Sequence, residues 1–274
     1  MSVFNWIRSS VSALLITLTF LITACSSPQA ATTEAALPTN TSKPPTATSI
    51  PPTATSIPTD TPTATPDAAA TAAAQSTQAA EGVYTELDKL LSDSDVPYKA
   101  GHLAWQQTAP ISIEMQGPSG NVGTIKDIDE NLTAGNFVFK SDVTWNATGW
   151  MYCGAVFRSE PNLKKGKQYQ LYFLRFSGLP LWYLDAYENG SDYLGSISGE
   201  QSASVIDMAN GAVNQFMIVA QDEKFTVYFN GKRQNSFSDS SKRRMDGAFG
   251  FFAWQESGKG SCKYENSWIW SLDK

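Results

Sequence analysis

The chain has 274 residues, with 20 basic and 26 acidic side chains, a net charge of −6 and a single histidine, His102. From residue 99 onward the count is 17 basic against 18 acidic, with no basic stripe of the kind that tracks a phosphate backbone, so nucleic-acid binding is set aside. One histidine and three cysteines leave little support for a histidine-rich zinc site or a Ser-His-Asp triad.

The first residues carry Arg8 and then an apolar stretch from Val11 to Ile22 interrupted only by small hydroxyl residues. It is long enough for the core of an export signal and too short to span a bilayer as a helix. It closes on Ile22-Thr23-Ala24-Cys25 and a pair of serines. This string resembles the bacterial lipoprotein signal, and the resemblance implies removal of residues 1–24 and diacylglycerol transfer to the Cys25 sulfur. Two or more acyl chains hold a protein stably on a membrane. The expected location is the cell envelope, lipid-anchored and facing outward. The other reading is an ordinary secretory signal with an incidental cysteine.

Residues 25–80 show no hydrophobic periodicity. Nine of the 14 prolines lie here, and PPTATSI occurs twice in tandem at residues 44–50 and 51–57. Such a composition buries too little apolar surface to offset the entropy of ordering it, so a disordered Thr/Pro/Ala-rich spacer is expected. Within residues 81–98, Val83, Tyr84, Leu87, Leu90 and Leu91 share one stripe at helical spacing. That predicts a short amphipathic helix ending near Ser92, before the Asp93, Asp95 and Pro97 break. The helix either lies as a lid on the folded domain or mediates self-association.

Residues 99–274 hold seven of the eight tryptophans, and strand-like runs separated by turns fill them. Phe137, Phe139, Val143 and Trp145 share parity, with Ser141 breaking the pattern; Met151, Cys153, Ala155 and Phe157 do the same. Further runs fall at 169–176, 181–187, 214–220, 224–231, 247–254 and 267–272. This is the pattern of an all-β fold of two antiparallel sheets packed as a sandwich. Asn230-Gly231 predicts a tight hairpin, since both residues tolerate the positive φ of a type I′ turn. On the strand before it, Phe225, Val227 and Phe229 face one way and Thr226 and Tyr228 the other; one face meets the second sheet and the other can line an open groove.

The order of GAVFR at 154–158, YQLYFLRF at 169–176, NQFMIVA with FTVYFNGKR, GAFGFFA and the terminal NSWIWSL resembles the concanavalin A-like, laminin G-like jelly rolls. The resemblance extends to the bacterial 3-keto-disaccharide hydrolase-like domain. It implies a convex and a concave sheet, with carbohydrate on the concave side or its rim, and it places Arg158 on that surface. Trp150, Tyr172, Trp182, Tyr187 and Trp254 are candidate sugar-stacking rings. The paired-carboxylate string of the related glucanases is missing, and the acids left for catalysis are Asp142, Glu160 and Asp185, with a cross-strand pair between Asp185 and Arg175 as the structural reading of the last. Related folds often hold one structural calcium, for which Asp127, Asp129 and Asp273 are possible donors.

Once Cys25 is modified, Cys153 and Cys262 are the two remaining cysteines, and export delivers them to an oxidising compartment. A disulfide between them is expected, with Cys262 in a Gly-rich turn before the last strand; two isolated thiols are the alternative. The functional expectation is a lipid-anchored carbohydrate-binding or surface-adhesion module, with a glycan or cell-wall polymer as ligand. A glycan-acting hydrolase and a structural or protein-binding surface domain are the alternatives.

Overall fold

The computed structural model describes residues 68–273 apart from 118–121, 177, 190–191 and 257. The export segment, Cys25 and the spacer up to residue 67 lie outside the described residues. The first element is a helix, α1 (Ala68–Leu91). It begins earlier than the apolar stripe predicts, so residues 68–80, read above as spacer, are helical; alanine has the best intrinsic helix propensity and supplies the extension without an apolar face. No described helix is long and apolar enough to cross a membrane.

Among the described residues fourteen strands follow: β1 (His102–Gln106), β2 (Ile111–Gly117), β3 (Val122–Asp127), β4 (Phe137–Ala147), β5 (Met151–Ser159), β6 (Gln168–Phe176), β7 (Leu179–Glu188), β8 (Asp192–Ser196), β9 (Gln201–Ser202), β10 (Val213–Gln221), β11 (Lys224–Phe229), β12 (Lys232–Ser238), β13 (Ala248–Gln255) and β14 (Gly258–Ser271). They form two antiparallel sheets of seven. The first runs β1-β14-β4-β10-β11-β12 with β2 also on β14; the second runs β3-β13-β5-β6-β7-β8 with β9 also on β7. The two pack face to face as a jelly-roll sandwich.

The core between the sheets follows strand parity. Phe137, Phe139, Val143 and Trp145 point inward from β4, and Met151, Cys153, Ala155 and Phe157 from β5. Ser141 breaks the apolar row because Ser267 on β14 faces it and donates a hydroxyl hydrogen bond at 2.8 Å, which satisfies the buried group. Asn230 and Gly231 both have positive φ, 49° and 73°, and join β11 to β12 as the two-residue hairpin that their conformational tolerance predicts.

Cys153 on β5 and Cys262 on β14 form a disulfide with Cα atoms 5.8 Å apart. It joins one sheet to the other through the core. Cys262 stands inside β14 rather than in a preceding turn, because the strand already starts at Gly258 and pairs with β2 and β4 there.

Helix α1 settles the fate of the outer face of the first sheet. Val83, Leu87 and Leu91 pack on Val138, Met217, Val219, Tyr228, Trp268 and Trp270. The Trp268 indole donates to Glu86 at 2.9 Å and Lys140 pairs with Glu86 at 3.3 Å. The face of β11 that carries Tyr228 is therefore covered, and it lines no groove.

Candidate functional site

Among the described residues, no helix lies over the outer face of the second sheet. Antiparallel register puts residues of one parity on that face across neighbouring strands: Trp254 on β13 opposite Tyr152 on β5, and Tyr172 on β6 opposite Tyr183 on β7. Side chains standing on adjacent strands at the usual spacing of about 4.8 Å bring aromatic rings into stacking range. Trp254 and Tyr152 stack at 4.4 Å between centroids, Tyr152 and Tyr172 at 5.4 Å, and Tyr172 and Tyr183 at 5.5 Å, with interplanar angles of 23°, 14° and 20°. The result is a four-ring ladder crossing four strands.

In a ladder the inner rings have both faces covered. Tyr172 is accordingly only 8% exposed, and it offers a ligand no stacking face, against the expectation for it. The end rings differ. Trp254 lies opposite Gly123 on the edge strand β3, which has no side chain to cover the indole, and Tyr183 closes the other end with its hydroxyl donating to Glu200 at 2.7 Å. Gly154, between Phe252 and Tyr172, is required by close approach: a Cβ there would stand 2.0 Å from the Leu171 carbonyl oxygen.

Asp185 lies on the same face, buried, two positions along β7 from Tyr183. Its carboxylate accepts the Tyr172 hydroxyl at 2.5 Å and the Ser196 hydroxyl at 2.6 Å. Burial pushes the Asp185 carboxyl above the ordinary aspartate range, with the two hydroxyl donors pulling the other way. Burial likewise raises Tyr172, helped by Tyr187 and Asp185, and raises Tyr152, Tyr183 and Tyr187. All four are hydrogen-bond donors at neutral pH. Asp185 does not pair with Arg175, which instead donates to the Ala147 carbonyl at 3.0 Å and to Asn210 at 2.7 Å; Arg175 has the parity of the core-facing Leu171 and Phe173. Gln168, on the ladder's side of β6 opposite Tyr187, is buried with both amide atoms lacking a partner among the described residues.

The remaining predicted residues are dispersed. Trp182 is fully buried in the core against Phe229 and Phe237; it is five residues from Tyr187 on one strand and so faces the opposite way. Tyr187 stands on the ladder's face, 3.4 Å from Tyr172 between hydroxyl oxygens. Trp150 is exposed just before β5, and its carbonyl accepts the Glu256 backbone N–H, so it sits at the Trp254 end of the face.

Arg158 is not on the ligand surface. Its parity points outward, but its φ of 47° and the register shift of β13 opposite it mark a bulge that turns the side chain in. There the guanidinium is fully buried and donates to the carbonyls of Gly135 at 2.7 and 2.9 Å, Asp222 at 2.7 Å and Arg244 at 3.4 Å. It clamps three inter-strand loops, and burial lowers its pKa from the usual arginine value.

The three candidate catalytic acids do not converge. Asp142 is on the first sheet, paired with Lys140 at 3.2 Å; Glu160 lies in the turn after β5 and accepts the Lys167 backbone N–H; Asp185 is on the second sheet. The possible calcium donors are apart as well. Asp273 accepts the backbone N–H groups of Gly135 and Asn136, Asp129 accepts that of Asn131, and Asp127 ends β3. Among the described residues no group of three or more His, Cys, Asp or Glu side chains is arranged to hold a metal ion. Tyr152, Tyr183, Glu200 and Glu256 were not singled out in the sequence, although the parity of Tyr183, Asp185 and Tyr187 was legible there.

Fold and site together define a two-sheet antiparallel jelly-roll sandwich with one outer face sealed by a helix and the other lined with aromatic rings. No family model matches the chain, and no curated protein matches it. Among solved structures the chain is similar to a carbohydrate-binding module from Bacillus subtilis, with 19% identity over 57% of this chain and 99% of that one and a TM-score of 0.41. It is similar to a Bacillus licheniformis beta-glucanase at 10% identity over 61% of this chain and 94% of that one, TM-score 0.40. The laminarinase catalytic domain of Thermotoga maritima matches at 8% identity over 64% and 82%, TM-score 0.44. The likeness is one of architecture.

Proposed function

We propose that this chain is a non-catalytic glycan-binding module held at the cell envelope by a lipid on Cys25, with the aromatic face of the second sheet as its binding surface. The observation that carries this reading is the ladder from Trp254 to Tyr183, whose end rings offer apolar faces and whose exposed neighbours Glu200 and Glu256 offer hydrogen-bond acceptors. Sugars present the complementary set, an apolar ring side and hydroxyl edges. The ladder crosses four strands, roughly 14 Å at the usual inter-strand spacing and about the length of three sugar rings. The separation of Asp142, Glu160 and Asp185 supports binding over hydrolysis, since paired-carboxylate chemistry needs the two groups within about 10 Å across one sugar.

The test is a glycan array with the full-length chain, followed by affinity measurements on Trp254→Ala and Tyr183→Ala. An end ring that anchors a sugar is worth about 2 kcal/mol, roughly a 30-fold loss of affinity on truncation. Unchanged affinity in both variants, or no glycan bound by the folded protein, overturns the reading. The anchor is tested separately, by detergent partitioning of wild type against Cys25→Ala: the variant moves to the aqueous phase, and equal partitioning overturns the lipid assignment.

A further inference from the structure

The ladder's surroundings carry a sign of charge. Tyr183 at one end holds the exposed Glu200; at the other, the exposed Glu256 follows Trp254 by two residues, its backbone N–H donating to the Trp150 carbonyl, and its charge acts on the Tyr152 hydroxyl; the buried Asp185 is on the same face, two positions along β7 from Tyr183. Among the described residues, no lysine or arginine occupies an outward position of β13, β5, β6, β7 or β8, Arg158 being turned inside by its bulge. Lys167, which precedes Gln168, is committed to Glu188 at 3.2 Å, and Arg243, beside Gly195, to Asp239 at 2.9 Å. Since the domain from residue 99 is close to neutral overall, this is a local arrangement and not a reflection of bulk acidity. Gln168 adds a buried amide with an unused donor and an unused acceptor on the same face.

From this we infer that the ligand of the ladder is a polysaccharide carrying free, protonated amino groups, such as de-N-acetylated hexosamine units. The inference rests on the glycan-binding reading above and narrows it. Stacking on the end rings selects a sugar of either charge, whereas the two terminal carboxylates favour an ammonium substituent and disfavour uronate or phosphate. Apposed opposite charges steer association and reject like-charged partners more than they add raw affinity.

The experiment compares three oligosaccharide probes of equal length on the full-length chain by calorimetry: a glucosamine oligomer, its fully N-acetylated counterpart and a galacturonate oligomer. The glucosamine oligomer is expected to bind at least tenfold tighter than the acetylated one at low salt, with the advantage shrinking as sodium chloride is raised. Glu200→Gln with Glu256→Gln, both at exposed positions, brings the ratio of the two affinities down to about one. Equal affinity for the first two probes, a preference for galacturonate, or a preference untouched by the double variant overturns the charge assignment while leaving the glycan-binding reading standing. Binding of none of the probes, together with an array showing no other glycan bound, overturns both.

Discussion

The disulfide between Cys153 and Cys262 offers a direct measurement on the core. The two cysteines are 109 residues apart in sequence and bridge β5 and β14, one from each sheet. In the chain-entropy model the constraint on the unfolded state grows with the logarithm of the loop, and a loop of this size corresponds to about 5 kcal/mol at 25 °C. Replacing both cysteines by alanine, or reducing the bond in the wild type, should lower unfolding free energy by about 3 to 5 kcal/mol once local repacking is included. For a folded part of this size that is a fall in Tm of roughly 10 to 15 °C. Urea titration of both forms is the assay, and a second signature should accompany the shift. Without the cross-link the unfolded chain expands, so the denaturant slope should rise along with the drop in midpoint. A loss under about 1 kcal/mol with an unchanged slope would refute the reasoning, because the bond would then be constraining nothing that the folded core does not already constrain.

Arg158→Met should destabilise the fold by more than about 3 kcal/mol, since three inter-strand loops lose the buried charged donor that ties their carbonyls together; urea unfolding measures it, and a loss below about 1 kcal/mol would contradict the clamp. Leu87→Ala, which empties the centre of the α1 contact, should cost about 3 kcal/mol, and amide exchange should show faster opening of α1 ahead of the sandwich. Asp185 is raised by burial, so the folded state holds its proton more tightly than the unfolded state, and stability attributable to this group falls as pH rises through the window starting near its ordinary value of 3.8. Asp185→Asn should flatten that part of the stability profile; a profile identical to the wild type would mean that Asp185 titrates normally.

Strand periodicity carried the sandwich because the inward residues in the middle of β4, β5 and β13 are apolar apart from Ser141, the buried Gln255 coming only at the end of β13. Strands β1, β3, β8 and β9 are short or lie at sheet edges and carry little alternation to read, whereas β2 alternates Ile111, Ile113 and Met115 onto the core and could have been read from its parity. The site was less visible still. Aromatic content pointed to rings such as Tyr172 and Trp254 without saying that neighbouring strands would stack them into one ladder, which is a property of register and not of any single run. Trp182 and Tyr187 could have been separated by parity alone. Arg158 could not, since a bulge reverses parity and is set by the pairing of β5 with β13. The apolar stripe from Val83 to Leu91 marks the second half of the helix, whereas its alanine-rich first half has no periodicity to read and is helical by propensity.

Strand β14 is made after every other strand, yet it lies inside its sheet, between β4 on one side and β1 and β2 on the other. A nascent chain that has reached only β13 therefore has no means of joining β1 and β2 to the rest of that sheet, and Cys153 has no partner. Contacts between residues so far apart in sequence also make closure slow. The polypeptide thus remains unfinished as a fold until synthesis has passed Ser271.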